Sequence, residues 1–196
     1  QPPQSEPHLP AADATPITDL PESVRRWADG WRFATPISLA ETVGIARVSE
    51  PVEIRLDLAT GQVTDPVREV RVARRDPRTG ALSEVVSQLD LISRVGPSFH
   101  CRLLFCADVD AHETADYLVL HGNAHAELPA YETDLKIAGE GYALDVDTAH
   151  YRARLSRQTG QLERLTYKRQ HGLELFAGGK GHGEPPDIDW GHDYVD

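Results

Sequence analysis

Between positions 171 and 196 the chain gathers His171, His182, Glu184, Asp187, Asp189, His192 and Asp193. Imidazole and carboxylate donors together suit Zn²⁺ or Mn²⁺, and a carboxylate-rich subset suits Ca²⁺. His182, Glu184, Asp187, Asp189 and His192 are therefore candidate ligands for one divalent metal ion. Their spacing matches neither HExxH nor an EF-hand loop, so a solvated acidic loop is the competing reading. The same residues offer an acid–base pair, His192 with Asp189 or Asp193. Lyase chemistry needs a base to take a proton beside a carboxylate and a cation to hold the resulting enolate. On that basis His182, His192 and Tyr194 are the candidate catalytic residues.

Trp190 lies beside Asp189 and His192, where an aromatic face could stack on a sugar; core packing is its ordinary alternative. Arg68, Arg71, Arg74, Arg75 and Arg78 form the basic cluster. In a strand Arg71 and Arg75 share a face, and their forks could take uronate carboxylates in bidentate pairs. A solvated edge that discourages strand pairing explains the same residues without a ligand. His100, His112, His121, His125 and His150 are scattered and read as structural or surface groups. GxSxG, P-loop and GxGxxG signatures are absent, so serine hydrolase, NTPase and dinucleotide chemistry have no support.

The elements that must position these groups are mostly strands. Residues 1–16 carry Pro2, Pro3, Pro7, Pro10 and Pro16 and read as a tether. Pro21–Trp27 reads as a short helix with Asp19 as cap and Gly30 as stop, pinned by Trp27, Trp31 and Phe33. From about Val43 the period becomes two. Val52, Ile54, Leu56 and Leu58 alternate with Glu53, Arg55 and Asp57, which predicts a half-buried strand. Further strands are expected at 68–74, 82–93, 99–106 and 115–121, separated by Gly-containing turns. Four more follow at 135–137, 142–146, 151–155 and 162–167, the last two joined by the turn Arg157-Gln158-Thr159-Gly160. Cys101 and Cys106 are an odd offset apart in one strand and some 16 Å from each other, so they do not pair.

These elements predict an all-β chain in three parts. Residues 1–39 form a Pro-rich arm and one short helix, residues 40–127 an antiparallel β-sandwich, and residues 128–196 the start of a second β-sandwich. Four strands alone leave an uncovered face and an open edge. Either the second part packs on the first or another polypeptide completes it, and the latter suggests processing at the C-terminus. The lack of any Met, with the opening Gln1-Pro2-Pro3-Gln4, is read as release from a signal peptide or pro-segment, hence export. A net charge of −11 disfavours nucleic acid and anionic membranes as partners. No run reaches the ~18 apolar residues that a membrane span needs.

Residues 144–156 and 159–165, with their Thr159-Gly160 turn, resemble the opening strands of galactose-mutarotase-like β-supersandwiches. Ala115–Leu120 is similar to the last strand of the β-sandwich that precedes such domains in rhamnogalacturonan-lyase-like proteins. The resemblance implies a secreted, carbohydrate-associated module of lyase-like ancestry, with an acidic polysaccharide as partner. It covers about a third of the chain and carries no catalytic residue across. Binding or scaffolding is therefore expected over catalysis, and a structural subunit of a periplasmic or cell-surface assembly is the alternative.

Overall fold

The computed structural model describes residues 7–168 and 172–177. The chain divides into two units, Gln1–Ala130 and Tyr131–Asp196. The first contains β1 (His8–Leu9), β2 (Thr15–Pro16), α1 (Glu22–Trp27), β3 (Phe33–Ala40), β4 (Arg47–Ala59) and α2 (Pro66–Glu69). It continues through β5 (Val70–Arg75), β6 (Leu82–Val85), β7 (Ser87–Val95), β8 (Ser98–Val109) and β9 (Thr114–His121).

Two sheets result, ordered β1-β4-β8-β7 and β2-β3-β9-β5-β6. Alternation along β4 turns Ile54, Leu56 and Leu58 inward, and along β8 it does the same for Cys101, Leu103 and Phe105. Ile37, Val70, Val72, Tyr117 and Val119 of the other sheet close this core. Tyr117 can be buried because its hydroxyl accepts from the Asp108 N–H at 2.9 Å and donates to the Asp108 carbonyl at 3.0 Å. Its ring tilts against Phe105 with centroids 5.3 Å apart. Cys101 is buried and Cys106 exposed, both free, as their odd offset requires. Burial, aided by the negative charge of Asp57, pushes the Cys101 thiol up to about 12.

The five-stranded sheet is covered on its outer face as well. Ile17, Leu20, Val24, Ala28 and Trp31 lie over Ala34, Ala73 and Leu120. This second layer explains why Val70, Arg71, Val72 and Ala73 are all buried in succession. The segment before residue 40 is therefore built into the sandwich. β1 pairs with β4, β2 with β3, and β3 with β9 over eight residues. The sequence predicts a Pro-rich arm with one short helix over residues 1–39; the helix is present as α1, and the segment also supplies β1, β2 and β3.

Local differences have local causes. α1 starts at Pro21 without a side-chain cap, so Asp19 does not serve as one. Trp27 is 37% exposed, and Val24 and Ala28 make the contact expected of it. The strand expected from residue 68 begins as the turn α2, with Asp65 at its N-cap and Pro66 in its first turn. The strand expected over 82–93 is two strands: β6 pairs with β5 and β7 with β8, so the chain changes sheets at exposed Val86. Glu41 fixes the loop after β3. Its carboxylate accepts from the backbone N–H groups of Val43, Gly44, Ile45 and His112.

The second unit is a single antiparallel meander, β10 (Lys136–Glu140), β11 (Ala143–Asp147), β12 (Tyr151–Leu155), β13 (Leu162–Tyr167) and β14 (Leu173–Ala177). β14, unforeseen in the sequence, adds a fifth strand to the four expected. One face carries cross-strand ion pairs, Arg154 with Asp145 at 2.8 Å and Arg152 with Asp147 at 2.6 Å, with Lys168 also on Asp147. By the register, the opposite face presents Ile137, Val146, Ala153 and Leu165 in one cross-strand row, flanked by Leu144, Tyr151 and Tyr167. Ala153 is the single buried residue of this unit among those described, while Ile137 is 61% and Leu173 49% exposed.

Candidate binding groove

Three cross-strand rows run over the outer face of the five-stranded sheet, each contributed by β3, β9 and β5 in that order. They are Ala34–Leu120–Arg71, Pro36–Leu118–Ala73 and Ser38–Asp116–Arg75. The N-terminal segment and α1 cover the first row and part of the second. The third lies beyond the end of α1, and there a groove of about 260 Å³ opens. Leu20, Pro21 and Val24 form one wall, Pro36 and Leu118 contribute apolar lining, and Ser38, Asp116 and Arg75 supply the polar groups.

The two arginines expected to share a face do share it, but their settings differ. Arg71 is 7% exposed. Its guanidinium donates to the carbonyls of Arg68, Val70 and Glu127, sits 3.3 Å from a Glu84 oxygen and lies over the Trp31 ring. Those donors serve the fold, anchoring the 126–127 segment, and are not free to meet a polysaccharide. Arg75 is exposed at the groove, and among the described residues none forms an ion pair with it. Its cross-strand neighbour Asp116 accepts instead from the Ser38 hydroxyl at 2.6 Å, on the side away from Arg75.

Titratable groups also cluster elsewhere. On the outer face of the four-stranded sheet, Asp57 receives His100 Nδ1 at 2.7 Å and His8 Nε2 at 2.9 Å. Partial burial pushes its carboxyl up, but the hydrogen bonds from His100 and His8 outweigh this and hold it below the usual range. Beside it Arg102 grips Asp90 with Nε and Nη2 in a bidentate pair. Near the end of β9, buried His121 stacks on Phe33 with centroids 5.4 Å apart, and its Nδ1 has no hydrogen-bond partner among the described residues. Burial, with the positive charge of Arg32, depresses His121 to about 4.

No group of three or more His, Cys, Asp or Glu residues is arranged to hold a metal among the described residues. His171, His182, Glu184, Asp187, Asp189, Trp190, His192, Asp193 and Tyr194 lie outside the described residues. Ser38 and Asp116 were not singled out in the sequence. Only the β3–β9–β5 register puts them beside Arg75, and no local pattern announces that register.

The architecture defines an all-β protein: a two-sheet sandwich with a helix on one outer face, then a separate antiparallel sheet. No helix among the described residues is long and apolar enough to cross a membrane. No family model, no curated protein and no solved structure matches the chain.

Proposed function

We propose that this chain is a non-enzymatic structural subunit of a periplasmic or cell-surface assembly, in which another polypeptide completes the second unit. One observation carries the reading. Among the described residues the β10–β14 sheet is a single layer with ion pairs on one face and exposed apolar side chains on the other. Stable domains bury such a face under a second layer, because a lone sheet cannot offset its chain entropy with one buried alanine. An apolar face of this extent on a soluble protein marks an interaction surface.

Native mass spectrometry on the protein from its natural source tests this. The expected result is a stoichiometric complex with a different polypeptide, in which Ile137, Tyr151 and Leu173 are shielded from radical labelling relative to the isolated chain. A lone monomer with those side chains shielded overturns it. A carbohydrate-associated role is the second reading, favoured by the exposed guanidinium of Arg75, which has no ion-pair partner among the described residues. Binding of an acidic oligosaccharide that is lost in Arg75→Gln would support it.

A further inference from the structure

We propose that the groove between α1 and the Ser38–Asp116–Arg75 row binds a small monocarboxylate with an apolar ring or branched body. The carboxylate lies on Arg75 and the body among Val24, Pro36 and Leu118. This site is independent of the docking face in the second unit and shares no residue with it.

Three observations define the ligand. The first is charge. Arg75 is a bidentate donor without an ion-pair partner among the described residues, and it is the arginine that lines the groove. An opposed carboxylate already stands in the next strand, yet Asp116 is held by the Ser38 hydroxyl on its far side. The guanidinium fork is thus left for an external carboxylate, the planar anion it matches best. The second is polarity. Apart from the three polar residues the side chains that line it are those of Leu20, Pro21, Val24, Pro36 and Leu118. A ligand bearing hydroxyls all round would leave most of them without partners against these walls, at a cost for each. The third is size together with residual charge. About 260 Å³ admits one ring or branched group. Asp116 sets a negative charge beside the site, which penalises a second carboxylate on the ligand.

Two acids that share a six-membered ring and a single carboxylate, cyclohexanecarboxylate and galacturonate, separate this from the carbohydrate reading. Each is titrated into the full chain at neutral pH, followed by the amide resonances of Val24, Ser38 and Leu118. Cyclohexanecarboxylate should bind at least about tenfold more tightly than galacturonate. Arg75→Gln should abolish its binding, and Asp116→Asn should tighten it severalfold by removing the neighbouring charge. Arg75 is exposed, so an unchanged melting curve shows that Arg75→Gln is folded. Equal or tighter binding of galacturonate overturns the proposal in favour of a saccharide. No saturable shift with either acid, or full binding by Arg75→Gln, overturns it outright.

Discussion

Glu41 and His121 are both buried, and each resists the proton that the unfolded chain would accept. The His112 N–H, joined by those of Val43, Gly44 and Ile45, holds the Glu41 carboxyl down at about 2 against an ordinary 4.5. A depressed carboxyl contributes stability above its unfolded value, and that contribution is lost as pH falls from about 4.5 toward 2. His121 is neutral in the fold, so its window is higher. Between pH 6.5 and about 4 the unfolded chain binds a proton that the native chain refuses. Over that window its contribution is on the order of 3 kcal/mol. Urea midpoints measured from pH 8 to pH 3 should therefore fall first through His121 and then through Glu41. His121→Phe keeps an aromatic face for Phe33 and should flatten the upper limb. Glu41→Gln should flatten the lower limb and lower the midpoint at neutral pH. An unchanged upper slope in His121→Phe would refute the assignment.

At the level of elements, the covering layer on the five-stranded sheet depends on very few side chains. Ala28 has no exposed surface, and a carboxylate there would face Leu120 and Ala73. Ala28→Asp should cost at least about 3 kcal/mol by leaving a buried charge unpaired. Trp27→Ala, on the exposed side of the same helix, should shift stability by less than about 1 kcal/mol. Thermal melts of the two variants check the contrast. In the second unit Gly139 has φ +109, and a Cβ there would stand 1.9 Å from the Ala143 carbonyl oxygen. Gly139→Ala should break the β10–β11 pairing, visible as lost amide protection over Lys136–Glu140 with unit 1 unaffected. Much at this scale was legible in the sequence. The alternation that runs Val52 to Leu58 gave β4, and Tyr151–Leu155 and Leu162–Tyr167 appear as read. Where one face only is buried, period two is plain. β3 lacked that signature because Thr35 and Ala34 are both buried, one on each face of a doubly covered sheet. The joint at Val86 escaped notice because two strands in line look like one until their partners are known. The groove was half visible: Arg75 was singled out, but Ser38 and Asp116 reach it across strands whose pairing is set 41 to 78 residues away.

At the scale of the whole molecule the two units differ sharply in what holds them. The sandwich has two apolar layers, whereas the second unit has one buried alanine among its described residues. Hydrogen exchange on the isolated chain should protect the β4, β8 and β9 amides at least ~100-fold more than those of β10–β14, with two unfolding steps on heating. Coincident transitions and equal protection would mean that the second unit is covered after all. The position of β9 also governs the order in which the molecule comes into being. It lies between β3 and β5, and its pairs with β3 span from 74 residues (Ala40 to Thr114) to 88 residues (Phe33 to His121). Until a ribosome has released residue 121, β3 is paired only with the two residues of β2, and α1 lacks the Leu120 part of the surface it lies on. The full pairing of β3 therefore waits for the last sandwich strand. A long-range closure of this kind folds slowly, which leaves the nascent chain open to a translocon, or to a chaperone, for as long as that strand is still to come.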